Sequence, residues 1–362
     1  MKRPGTYLVA PSVMLGAALW FVACGSAFSQ GSPGADGGGA DASGTDAPGT
    51  GHGDGGADAP GADAPGVDGK AGDAGASEGA AGEAGGPGDA GPCQGTFSTP
   101  TLVLAHTTQY LVDSITLSND ELDAFVTLFP VGAVTEQRKV YAMHRASAGV
   151  AFTMDTSQPL DLTSVGPTPG AFDVALSADD LTLYFSHRQD SDAGVLGVNV
   201  YDAQRGDAGG TFSGGSELGG AINDPTTNQF HAHPAGPDLY FTVATLVSGA
   251  QGPRNLYAAP LAGGARAALS ELNSFNQQAN PVPSRDELEI FFSSDRADPG
   301  VQNLVYSAHR TSAALAFSTP AVVPLTVPGA SASVAPQHLT GDRCRLYVLV
   351  NQSDAYVAQR AP

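Results

Sequence analysis

Residues able to do chemistry recur at one relative place in this 362-residue chain, on the stretch before a polar turn. They are Asp113, Asp173, His231 with His233, Asn280, and a segment from Ser333 to Gln337. Asp113 and Asp173 could supply the two carboxylates that glycoside hydrolysis places across a scissile bond. No Glu shares those stretches to tune them, and an Asp before a turn more commonly caps it by hydrogen bonding. His231-Ala232-His233 sets two imidazoles on one strand face, a geometry open to zinc if His338 or Asp173 converged on it. No third ligand is evident nearby. The expectation is therefore polar residues lining a wet channel, with no metal, no cofactor and no catalytic residue.

The elements that must position these residues are written five times. A first apolar strand recurs as DAFVTL, LTLYFS, LYFTV, LEIFFS and RLYVLV, with aromatics at Phe125, Tyr184, Tyr240, Phe291 and Tyr347. A second recurs as VYAMHR, VYDAQR, LYAAPL, VYSAHR and AYVAQR, with Tyr141, Tyr201, Tyr257, Tyr306 and Tyr356. The first aromatics lie 59, 56, 51 and 56 residues apart. A near-fixed period of this size marks repeats that bury their faces only against neighbours. The apolar runs are short and bounded by Asp, Gly, Ser and Pro, as strands covered on both faces are. Leu181, Leu183 and Phe185 should face one neighbouring sheet and Tyr184 the other.

The segments ALSADDLTLYFSHR and PSRDELEIFFSSDR, each followed by a VYxAxR strand, resemble the PD40 (WD40-like, TolB-type) β-propeller repeat. The resemblance covers about Asp113 to Arg360. Repeat three departs from it by losing the turn and the closing Arg, and repeat five lacks the SDR loop. It implies an all-β fold and a tendency to bind partners, without one chemistry. Five-bladed propellers also include glycoside hydrolases, so a hydrolase or lyase using Asp113 and Asp173 is the rival class.

A third strand led by Phe follows the Tyr strand at Phe152, Phe212 and Phe317, but the last repeat ends at Arg360 without one. The missing copy stands at the front, where FSTPTLV (Phe97 to Val103) matches FSTPAVV (Phe317 to Val323). The N-terminal segment should thus be the outer strand of the last blade, closing a five-bladed ring without exposed edges. Cys93 precedes that strand and Cys344 begins the first-aromatic strand of repeat five, so the two are expected to form a disulfide in an oxidising compartment. The closing Arg145, Arg205, Arg310 and Arg360 repeat too regularly to be one active centre, and the SDR loop (Asp295, Arg296; Arg188 in repeat two) reads as a loop-stitching ion pair.

Ahead of the repeats, Lys2 and Arg3 and then an apolar stretch from Tyr7 to Ala23 read as a signal peptide over 1–23. FVAC resembles a bacterial lipobox, which implies lipid on Cys24 and a membrane-anchored, exported protein. Residues 24–92 are rich in Gly, Ala, Asp and Pro and lack large apolar side chains, so they are expected to form a disordered spacer. Between Gly25 and Pro92 eleven acids face Lys70 alone, half of the chain's net charge of −20. Residues 93–362 form the propeller. With three lysines and a pI near 4.4, phosphate is repelled and nucleic acid is not a partner. No GxxxxGK[ST], HExxH, GxSxG or CxxC is present. The sequence thus points to a monomeric, envelope-tethered propeller that binds an envelope protein or cell-wall glycan.

Overall fold

The computed structural model describes Cys93 and residues 95–361, apart from 134–136, 158, 163–169, 190–196, 248–249, 298, 300–302 and 328–331. The leader, Cys24 and the spacer lie outside the described residues. The described chain holds nineteen strands and no helix.

β1 (Thr101–Leu104) belongs to the last sheet. The first blade comprises β2 (Tyr110–Leu117), β3 (Asp123–Pro130) and β4 (Lys139–His144), with a bridge between Tyr141 and Pro159 in the outer place. The second holds β5 (Ala171–Leu176), β6 (Thr182–Gln189), β7 (Gly197–Gln204) and β8 (Ser213–Glu217). The third holds β9 (Thr227–Ala235), β10 (Asp238–Val247), β11 (Ala250–Pro260) and β12 (Ala267–Ala268). The fourth holds β13 (Gln278–Pro283), β14 (Glu289–Ser294), β15 (Leu304–His309) and β16 (Ala321–Val322). The fifth joins β17 (Val334–Leu339), β18 (Arg345–Val350) and β19 (Asp354–Gln359) to β1. All pairings are antiparallel, and the inner strands β2, β5, β9, β13 and β17 touch in a closed ring. This is the five-bladed propeller expected from the repeats.

Closure follows the expected route. Leu102 of β1 stands opposite Tyr356 of β19, and Ser98 extends the seam by donating its N–H to the Gln359 carbonyl. Cys93 and Cys344 are joined by a disulfide, with Cα atoms 4.9 Å apart. Each sheet is buried on both faces, which is why its middle strand reads as an unbroken apolar run. Leu183 and Phe185 pack with Phe125 and Val140 of the first blade, and Tyr184 packs with Leu239 and Phe241 of the third.

Two repeated devices hold the blades in place. The first is the turn after each inner strand. Ser118, Ser177 and Ser284 each donate to an Asp two residues on, and that Asp also takes a backbone N–H. Thr340 and Asp342 do the same in the fifth blade. The following residue is left-handed in every blade: Glu121, Asp180, Gly236, Glu287 and Arg343. The second device is the closing arginine. Arg145, Arg205, Arg310 and Arg360 stack on Phe152, Phe212, Phe317 and Phe97 at 4.2–4.6 Å. Each also reaches the first aromatic of the preceding blade. Arg145 and Arg310 donate to the hydroxyls of Tyr347 and Tyr240, and Arg205 and Arg360 lie over Phe125 and Phe291. The closing arginines are inter-blade clasps. In the SDR loop of the fourth blade, the Asp295 carboxylate accepts the Gln277 N–H and the Arg296 guanidinium donates to the Leu272 carbonyl, so the loop is stitched by side-chain-to-backbone hydrogen bonds.

Candidate functional site

Every inner strand carries a β-bulge at the same level. The register breaks between Val112 and Ser114, Phe172 and Ala175, Phe230 and His233, Ala279 and Val282, and Pro336 and His338. A bulge leaves an extra residue out of the ladder and re-aims its side chain. The residues so released are Asp113, Asp173, His231, Asn280 and Gln337, one per blade. Asp173, His231 and Asn280 have φ of +54°, +48° and +53°. Asp, Asn and His tolerate this left-handed region better than other side chains, yet each such residue still costs about 1–3 kcal/mol. Among the five bulge residues, three in neighbouring blades are held in this strained conformation.

The first three blades assemble the charged part of the ring. Arg138, from the loop between β3 and β4, sets Nε 2.9 Å from Asp113 Oδ2 and lies against the rings of Phe129 and Phe172. Burial pushes the Asp113 carboxyl up, and the Arg138 guanidinium opposes that rise. Asp173 faces His231, with Oδ1 3.3 Å from Nε2. Its carboxyl is pushed up to about 8, first by burial and then by the charge of Asp113. Burial, followed by the charges of Arg254, His233 and Arg138, holds the His231 imidazole well below its ordinary value. Both shifts favour the uncharged forms, a protonated carboxyl and a neutral imidazole. Asp173 Oδ2 and His231 Nδ1 are both buried and make no hydrogen bond among the described residues. Arg254, three residues before Tyr257, lies over Phe230 beside them.

The other polar residues of the inner strands are neutral and committed. Asn280 Oδ1 accepts from the Ser293 hydroxyl, and Gln337 Oε1 accepts the Ile115 N–H. Ser114 and Thr116 cap the Val174 and Leu176 N–H groups of the neighbouring inner strand. His338 Nδ1 meets Thr116 Oγ1 at 3.4 Å. Burial lowers His233 to about 4 and His338 to about 3. Among the described residues no group of three or more His, Cys, Asp or Glu side chains gathers in a metal-holding arrangement.

Asp113, Asp173 and His231 therefore come together, His233 lies in the same field, and Asn280 serves the sheet. Arg138 and Arg254 were missed by sequence reading. Their signal was nevertheless present: both stand three residues before the repeated Tyr, where the other repeats carry Val198, Asn303 and Ser353.

No protein-family model matches the chain, and no curated protein matches it. Among solved structures, the chain is similar to a putative TolB from Agrobacterium tumefaciens, at 15% identity and a TM-score of 0.41, over 71% of this chain and 79% of that one. It is also similar to a β-1,2-mannobiose phosphorylase from Listeria innocua, at 12% identity and a TM-score of 0.43, over 75% and 89%. A third is the catalytic domain of a GH62 α-L-arabinofuranosidase from Coprinopsis cinerea, at 10% identity and a TM-score of 0.41, over 74% and 97%.

Proposed function

We propose that this protein is an exported, non-catalytic binding module that takes an envelope protein or cell-wall glycan at the charged side of its channel. One observation carries the reading: in the buried Asp173–His231 pair one polar atom of each partner makes no hydrogen bond among the described residues, with arginines and phenyl rings around it. Such atoms cost free energy unless a ligand or water satisfies them. Asp113 is tied to Arg138, which removes it as a ready base. The Cys93–Cys344 disulfide supports an oxidising compartment. Within this reading residues 1–23 are a leader, Cys24 is the lipid anchor, and 24–92 is the spacer. Chemical cross-linking in intact envelopes tests the binding role. Wild type should give a discrete adduct that Asp173→Asn and His231→Ala lose, and adducts unchanged in both variants refute the site.

A second reading rests on one further observation. A carboxyl raised to about 8 beside a carboxylate held by arginine has the split character of an acid and base pair. A hydrolase or lyase using Asp113 and Asp173 would release new reducing ends from polysaccharide and lose that activity in both Asn variants.

A further inference from the structure

The third blade lacks the clasp that the other four possess. Leu261 stands four residues after Tyr257, where Arg145, Arg205, Arg310 and Arg360 follow their own tyrosines. Its N–H donates to the Pro237 carbonyl just as Arg205 N–H donates to Leu181 and Arg310 N–H to Leu288, so the positions are equivalent. The hairpin is also shorter. Tyr201 pairs with Glu217 and Tyr306 with Val322, sixteen residues on, whereas Tyr257 pairs with Ala268, eleven on. That deletion accounts for the one short repeat, 51 residues instead of 56. Five residues before the paired position stand Phe212 and Phe317 in those blades, and Gly263 in the third.

A cleft lies where the side chains are missing. Leu218, Gly220 and Ile222 at the exit of the second blade line one side, and Pro260, Leu261 and Gly263 line the other. A Cβ added at Gly219, Gly220 or Gly263 would meet nothing within 4 Å. In the clasped blades this space holds the Phe, packed on the exit of the preceding blade as Phe317 is on Leu269 and Leu272. The polar partners of the absent arginine are still in place. Tyr184 packs with Leu218, Ile222 and Leu261 and is 8% exposed, and its hydroxyl makes no hydrogen bond among the described residues. Gly236 is the left-handed turn residue whose counterparts Glu121, Asp180 and Glu287 accept an arginine Nε–H. It is exposed, and no described residue donates to its carbonyl. Asp179 and Asp202 act on Tyr184, so the local field favours a cation.

We propose that this seam is a docking site for a partner protein's peptide that presents an arginine with an aromatic side chain, completing the fifth clasp in trans. The guanidinium would bond the Tyr184 hydroxyl and Gly236 carbonyl, and the ring would fill the cleft between Leu218 and Gly263. The site is separate from the channel and stands whether or not the channel reading does.

The chain supplies its own probe, the octapeptide RTSAALAF of residues Arg310 to Phe317, measured against the folded protein by calorimetry or fluorescence anisotropy. Saturable binding is expected, weakened about tenfold or more when the peptide's Arg is Gln, because a charge-assisted hydrogen bond is lost. Tyr184→Phe should weaken it several-fold. Replacing Leu261 to Gly263 by the same eight residues should raise the melting temperature and abolish peptide binding. Absence of saturation by about 1 mM, or equal binding of the Gln peptide and of one with Phe changed to Ala, overturns the proposal. So does full peptide binding by a folded, clasp-restored variant.

Discussion

Arg310 of the fourth blade donates to the Tyr240 hydroxyl of the third at 2.8 Å, and its guanidinium sits 4.3 Å from the centre of the Phe317 ring. The same side chain bonds the Glu287 carboxylate at 3.1 Å, so one residue ties a turn, a strand and two blades together. Both charged partners are largely buried. Removing one leaves the other uncompensated, so Arg310→Met should cost about 3 kcal/mol or more. Tyr240→Phe should cost about 1 kcal/mol. Urea unfolding of the two variants checks the order. Equal and negligible losses would mean that the clasps do not hold the ring.

Closure gives a second expectation. The Cys93–Cys344 bridge spans 251 residues across the seam between chain ends, and β1 lies inside it. Loop-closure entropy sets its contribution at up to about 5 kcal/mol. Cys93→Ser with Cys344→Ser should lower stability toward that bound, and deletion of 97–104 should lower it further than deletion of 25–92. Thermal melts of the three forms decide it, and a melt of the 97–104 deletion equal to that of the linker deletion contradicts the closure.

The channel residues give the pH dependence its sign. His233 and His338 have folded values of about 4 and about 3 against an ordinary 6.5. The unfolded chain therefore binds protons that the native state refuses, and stability falls as pH drops from about 6.5 toward 4. Asp173 works the other way. Its carboxyl is raised from 3.8 to about 8, so its contribution falls as pH rises through that window. His233→Gln should flatten the acid limb and Asp173→Asn the neutral limb. Denaturant midpoints across pH 4–8 read both, and parallel curves for wild type and variants would remove the buried-titration account.

The proposed lipid anchor is tested at Cys24. Cys24→Ser should release the protein from the membrane fraction or stop its processing there. A native protein whose N-terminus lies beyond Cys24, measured by intact mass, excludes lipidation.

The architecture was legible because every repeat states its two apolar strands and their aromatics in order, and four of the five state the turn as well. Even closure could be read, from the match of Phe97 to Val103 with Phe317 to Val323. The channel residues were legible as positions because they precede a recognisable turn. Their chemistry was not. The bulges that re-aim Asp173, His231 and Asn280 leave no pattern in an apolar run, and Arg138 reaches Asp113 from a loop 25 residues away. The third repeat carried its message as a deviation: a lost arginine, a lost turn and five missing residues at one seam.

Turnover and binding measured in one sample separate a binding module from a hydrolase. The protein is incubated with isolated cell-wall glycan, and retained protein and new reducing ends are read from the same sample. A binding module should be retained, less so as Asp173→Asn or His231→Ala, with no reducing ends above the blank. Reducing ends released by wild type and absent with both Asp113→Asn and Asp173→Asn would contradict that reading and make this propeller a hydrolase.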